Sequence, residues 1–180
     1  NPNARNWMIN VVLRCQVMGL SEFCDDMFPL PSTAKTSVIG FMADFGEHLP
    51  LQSCKVSSNK DAMEHHNEQP QLWSELTRDA ILDTRLENIA IPFHRSGNAR
   101  SPGSVISFWA GDQEGTWGRH DGIASLTRTY ISSGLSGWGN MHTDIGGMVY
   151  SPILSVRDVE ILKRWFELAS FLDPILRSHP

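Results

Sequence analysis

The sequence has no run of lysine or arginine, so it offers no footprint for a phosphate backbone, and nucleic acid is not an expected partner. No apolar stretch approaches the ~18 residues of a membrane span. No basic segment followed by an apolar core marks a leader either. Cysteine is scarce: Cys15, Cys24 and Cys54 are odd in number and lack C-x-x-C spacing. That pattern fits free or buried thiols in a reducing compartment better than disulfides or a metal site, and it favours the cytoplasm. The absence of an Asn-x-Ser/Thr sequon agrees. Neither H-E-x-x-H nor G-x-x-x-x-G-K-[ST] occurs, so zinc and nucleotide phosphates are not indicated. Without G-x-S-x-G there is no serine nucleophile elbow.

Charge is also thin. Fifteen Lys and Arg stand against twenty Asp and Glu, a net charge of −5, and charged residues make up 19% of the chain. The usual share is ~25%, so strands buried on both faces are expected. What is present is a globular composition, 41% hydrophobic with 14 Gly, 10 Pro and 6 Trp over 180 residues. That length is short for a closed α/β barrel, which typically takes ~250 residues.

Strands and helices alternate along the chain. Asn1 to Val12 reads as a helix opening on Pro2. Val38 to Ala43 reads as a strand buried on both faces. Pro70 to Leu82 reads as a helix with Leu72, Trp73, Leu76, Ala80 and Ile81 on one side. Further strands are expected over Asn88 to Phe93 and Val105 to Ala110, the first weakened by Pro92. A helix over Asp121 to Ser133 is expected to bury Ile123, Leu126, Tyr130 and Ile131. A weaker strand spans Gly137 to Met141. The helix from Ser155 to Ala169 opens on a capping-box-like Ser155 and Asp158 and carries the stripe Val159, Leu162, Phe166 and Ala169. Ile175-Leu176 begins a last strand. His65-His66 lies in a polar loop and reads as solvated.

This order implies an α/β fold with a parallel sheet. Each strand ends in an ionisable residue: Asp44, Arg95, Asp112, Asp144 and His179. In a (β/α)8 TIM barrel such ends converge on one mouth, whereas an open sheet binds at one switch point, so five polar ends favour the barrel. Two carboxylates at one mouth are the parts for glycoside hydrolysis. Asp44 follows an apolar wall. Asp112 follows Trp109-Ala110-Gly111, a setting expected to be poorly solvated and suited to a protonated acid. Arg95 and His179 are candidates to hydrogen-bond sugar hydroxyls, and Trp109, Trp117 and Trp138 to stack on sugar faces.

Gly40-Phe41-Met42-Ala43-Asp44-Phe45-Gly46-Glu47-His48-Leu49-Pro50 resembles the nucleophile strand of glycoside hydrolase family 31, the α-glucosidase and α-xylosidase family. Phe108-Trp109-Ala110-Gly111-Asp112-Gln113 resembles its acid/base strand, and His94-Arg95-Ser96-Gly97 its arginine-bearing strand. His142-Thr143-Asp144-Ile145-Gly146-Gly147 and Arg177-Ser178-His179 are similar to the last two strand ends, with Arg164 to Leu168 similar to the helix between them. The two carboxylates stand 68 residues apart, a family-like interval.

The resemblance implies a retaining α-glycosidase acting on an α-glucoside or sulfoquinovoside, with no metal or cofactor expected. Asp44 is the implied nucleophile and Asp112 the acid/base, with Arg95, Trp109, Asp144 and His179 around the sugar. It also implies an incomplete barrel, about strands 4 to 8, with residues 1–180 forming its C-terminal part and 15–35 an atypical insertion. The sulfoquinovosidase-like branch is the most similar, although Met148 stands where that branch often has Tyr. Two other readings remain open: a catalytically inactive fragment, and a carbohydrate-binding remnant using the tryptophans.

Overall fold

The computed structural model describes residues 1–13, 40–51, 60–83, 87–88, 90–148 and 158–178. The three cysteines, the expected insertion at 15–35 and His179 lie outside these residues. The chain divides into two units, Asn1–Ile106 and Ser107–Pro180.

In the first unit, Asn1 caps helix α1 (Pro2–Trp7), its side chain accepting from the Asn3 N–H at 2.9 Å, and a π-helical stretch continues through Met8–Leu13. Strand β1 is described over Gly40–Ala43. Then come a short helix α2 (Ala62–His66), the longer α3 (Gln69–Asp83) and strand β2 (Ile91–His94). The strands pair in parallel, Gly40 with Ile91 through Ala43 with His94, and Pro92 sits inside β2 opposite Phe41.

Three expectations change here. β1 is half-buried up to Ala43 rather than covered on both faces. Its cover within the unit is a small cluster of Ile9 and Ala80 with Phe41 and Leu76. The buried face of α3 is Gln71, Ser74, Thr77, Ala80 and Ile81, while Leu72 is exposed. Ser74 and Thr77 can be buried because each hydroxyl donates to a carbonyl one turn back, Gln71 at 2.8 Å and Trp73 at 3.0 Å. His65 and His66 are half-buried on α2, which Asp61 caps by accepting from the Met63 N–H.

In the second unit, β3 (Ser107–Trp109) pairs in parallel with β4 (Met141–His142), Phe108 opposite Met141 and Trp109 opposite His142. Helix α4 (Ile123–Leu135) lies between them in sequence, and α5 (Val159–Leu172) follows. The last expected strand is a single parallel bridge, Asp144 to Arg177.

β4 starts later than expected because residues 136–138 close α4. Gly137 (φ 91°) donates to Gly134 at 3.1 Å and Trp138 to Ser133 at 2.9 Å, the paired bonds of a Schellman ending. The core is Leu126, Ile145, Ile161, Trp165 and Ala169. Ile131 lies about 100° round the helix from Tyr130 and is 61% exposed. The buried stripe of α5 is Ile161, Trp165 and Ala169, whereas Val159 and Phe166 are 64% and 52% exposed. Apolar side chains fill more than one face of this helix, so periodicity alone does not choose. Trp165 does: its indole N–H donates to the Thr143 hydroxyl at 2.9 Å inside the core. Asp158 caps α5 by accepting from the Glu160 N–H, and Ser155 lies outside the described residues.

Candidate active site

The register of β1 on β2 places Ala43 opposite His94, so the next residue on each strand, Asp44 and Arg95, emerges side by side. Arg95 Nε lies 3.3 Å from Asp44 Oδ1. The Phe45 N–H donates to the same oxygen at 2.9 Å. Oδ2 has no partner among the described residues, and the Asp44 side chain is 37% exposed.

Beyond Asp44 the chain reverses through two left-handed residues, Phe45 (φ 59°) and Gly46 (φ 92°). A non-glycine residue at positive φ is strained, and such strain tends to collect at functional sites. Gly46 is needed twice, for its φ and for space. A Cβ there would lie 2.4 Å from Trp73 Cδ1 and 2.9 Å from Ser96 Oγ. Those two side chains also fasten the turn, Trp73 donating to the Ala43 carbonyl at 3.2 Å and Ser96 to the Phe45 carbonyl at 2.7 Å.

The reversal brings Glu47 back to Arg95. Its Oε1 accepts from Arg95 Nε at 3.0 Å and also from Nη2. The Phe45 ring lies beneath the guanidinium, 4.2 Å from Cζ to centroid. Burial pulls the Glu47 carboxyl upward, but hydrogen bonds from Arg95 and from its own backbone, with the Arg95 charge, outweigh it and hold the group below the usual value. His94, next to Arg95, is fully buried, and burial pushes its pKa down to about 4.

The second unit gathers Trp109, Asp144 and Arg177. Asp144 is fully buried; its Oδ2 accepts from the Trp109 indole N–H at 3.0 Å and its Oδ1 faces Arg177 Nε at 3.2 Å. The Arg177 guanidinium lies over the Trp109 ring, 5.7 Å from Cζ to centroid. Thus the expected sugar-facing Asp144 and Trp109 are turned to each other within this unit. His142 is buried too, and burial together with the Arg177 charge lowers its pKa to about 4.

Asp112 is exposed, which overturns the poorly solvated setting expected for it. Gly111, at φ 98°, turns the chain after Trp109 and lets Asp112 leave the buried indole behind. The loop after it is anchored: the Met148 N–H donates to the Gln113 carbonyl at 2.8 Å, and Gly147 packs so closely that a Cβ would lie 2.4 Å from the Gly115 nitrogen. Of the tryptophans considered for stacking, Trp117 is exposed and Trp138 packs on Phe108, 4.2 Å between centroids. Among the described residues, no three or more of His, Cys, Asp and Glu are grouped to hold a metal ion, and no helix is long and apolar enough to cross a membrane.

The model of the glycosyl hydrolases family 31 TIM-barrel domain matches residues 1–180. The chain belongs to that family. Its parallel strand pairs and intervening helices are therefore part of a TIM barrel. The sulfoquinovosidase of Agrobacterium fabrum is 38% identical over 141 residues, 78% of this chain and 21% of that protein. A family 31 sulfoquinovosidase from E. rectale, solved with the aza-sugar inhibitor IFGSQ, superposes with a TM-score of 0.84 at 32% identity, over 99% of this chain and 24% of its own. The cycloalternan-degrading enzyme of Trueperella pyogenes, solved with a covalent intermediate, gives a TM-score of 0.62 at 26% identity, over 76% of this chain and 17% of its own. The chain thus spans about a fifth of the length of the curated relative.

Within the family frame, two residues absent from the sequence-derived site stand out, Glu47 and Arg177. Each lies in a stretch that resembles the family. Glu47 sits three residues beyond a strand end, and only the left-handed turn shows where it points. Arg177 is itself the bridged residue of the last strand end, two positions before the expected His179.

Proposed function

We propose that residues 1–180 form the C-terminal part of the catalytic barrel of a retaining α-glycosidase, with Asp44 as nucleophile and Asp112 as acid/base. The state of Asp44 carries the reading. One carboxylate oxygen is held by Arg95 and the Phe45 N–H, and the other has no partner among the described residues. A nucleophile needs this combination, fixed in orientation yet open at one oxygen.

In the first half-reaction Asp44 attacks the anomeric carbon to form a glycosyl-enzyme ester, while the protonated Asp112 gives its proton to the departing oxygen. Asp112 then removes a proton from water, which attacks the anomeric carbon and releases Asp44. The covalent intermediate of the T. pyogenes enzyme supports the same course here. A retaining mechanism as a class uses two carboxyls about 5–5.5 Å apart. Arg95, Trp109, Asp144 and His179 are assigned to the subsite around it.

The relatives from A. fabrum and E. rectale favour a sulfoquinovoside as substrate. A neutral α-glucoside is the second reading, favoured by Met148 where the sulfoquinovosidase-like branch often has Tyr. The test is turnover by the full polypeptide that carries this chain. Asp44→Ala is expected to lower kcat on aryl α-glycosides about a thousandfold or more. Asp112→Ala is expected to spare substrates with good leaving groups, which need little protonation. Wild-type turnover in Asp44→Ala, or equal loss on all leaving groups in Asp112→Ala, counts against the respective role. A sulfoquinovoside assayed beside the matching α-glucoside decides the substrate.

A further inference from the structure

We propose that Glu47 is a positioning residue that acts on the nucleophile through Arg95, holding the guanidinium in a fixed posture against Asp44. The inference rests on the assignment of Asp44 as nucleophile and adds the group that governs its neighbour.

Arg95 is the cation beside Asp44, and its Nε is shared between two carboxylates, Glu47 Oε1 at 3.0 Å and Asp44 Oδ1 at 3.3 Å. The contact to Glu47 is the shorter and is doubled by Nη2. Of these two carboxylates, Glu47 holds the guanidinium more closely. Without the Glu47 carboxylate the shared Nε donor is no longer divided, and a closer pairing with Asp44 would stabilise the resting carboxylate and oppose its attack. Held by Glu47, the same charge stands at hydrogen-bond distance without capturing Asp44.

The surroundings make this arrangement specific. A glutamate merely solvated at a strand end would not require a strained reversal to reach its partner. Here Phe45 and Gly46 both adopt left-handed backbone, Trp73 and Ser96 fasten the turn, and the Phe45 ring fixes the plane of the guanidinium. The second carboxylate oxygen, Oε2, is buried without a hydrogen bond among the described residues, while the side chain as a whole is 33% exposed and Oε1 also lies 3.6 Å from His48 Nδ1. The cost of burying Oε2 is offset by the charge-assisted bonds from Arg95 to Oε1.

The test is a double-mutant cycle in the full polypeptide that carries this chain, read on an activated aryl α-glycoside. Glu47→Gln keeps the shape and removes the charge. It is expected to lower kcat about a hundredfold, the scale of a misplacement of about 1 Å at a reacting group, while KM moves less than about threefold. In an Arg95→Ala background the same substitution should cost less than about twofold, because Glu47 then has nothing to position. If Glu47→Gln does not fold, Glu47→Asp, which keeps the charge but shortens the reach, takes its place in both backgrounds. Wild-type kcat in the single variant overturns the proposal, as do losses that add in full across the two backgrounds. Asp44→Ala separates this from the underlying reading: retained turnover there removes the nucleophile assignment itself, whereas an inactive Asp44→Ala with an additive cycle removes only the role of Glu47.

Discussion

The two units each bring an arginine to a carboxylate at a strand end, and they do so with opposite balance. At the end of β1 one guanidinium serves two carboxylates, and Asp44 keeps an oxygen in reserve. Beyond β4 one carboxylate serves a guanidinium and an indole, and Asp144 is enclosed with both oxygens engaged. The first arrangement leaves a base available for chemistry. The second uses its charge up in holding Trp109 and Arg177 in place. Composition does not separate them, since both are acid, base and aromatic; the count of partners per oxygen does.

Exchanging the same substitution between the two places sharpens this contrast. Asp44→Asn is expected to abolish turnover and to change urea unfolding by less than about 1 kcal/mol, because its ion pair is half-open to solvent. Asp144→Asn is expected to destabilise by about 3–5 kcal/mol, since it leaves Arg177 facing an uncharged group inside the fold. Equal stability losses at the two sites would break the comparison.

The next effect concerns the scaffold of the second unit. Ile161→Ala should cost about 2 kcal/mol or more in urea unfolding, and Val159→Ala less than about 0.5 kcal/mol, because only Ile161 belongs to the buried stripe. The reverse order would mean that α5 turns its other face inward.

The smallest effect is shared by both units. His94 and His142 end β2 and β4, and both are held neutral by burial, with pKa values of about 4 against 6.5 when free. A base whose folded pKa is depressed binds fewer protons folded than unfolded once the pH drops below 6.5. Stability from each is therefore complete above pH 6.5 and is lost as the pH falls toward 4. At pH 5 the loss is about 2 kcal/mol per histidine. Urea midpoints at pH 7 and pH 5 measure it, and His94→Leu should flatten the slope. A slope unchanged by that substitution would show that His94 is not the group responsible.

The strand ends were legible in the sequence because an apolar run that stops on a charge is visible in one dimension. Asp44, Arg95, Asp112 and Asp144 all follow that rule. Helix faces were less legible. On α5 the aliphatic and aromatic residues cover more than one side, and the winner was set by a single indole finding an acceptor on Thr143. On α3 the buried side is made of Ser74 and Thr77, which satisfy their hydroxyls locally and so escape a search for apolar stripes. The exposure of Asp112 depended on Gly111, whose φ no spacing rule reports. Glu47 was hidden for the same reason: its neighbours in sequence are Gly46 and His48, and its working partner lies 48 residues away.

The turn from Asp44 to Glu47 also sets what this stretch of chain can tolerate. Its two ends are aimed at one guanidinium by only two residues, both left-handed and fastened from outside by Trp73 and Ser96. Its length is therefore fixed more tightly than its composition. A different side chain at position 45 changes what lies beneath Arg95. One residue more or fewer sends Glu47 to another face and leaves Arg95 to Asp44 alone. Insertions and deletions, which surface loops usually accept, are barred from the three peptide bonds that join these two carboxylates.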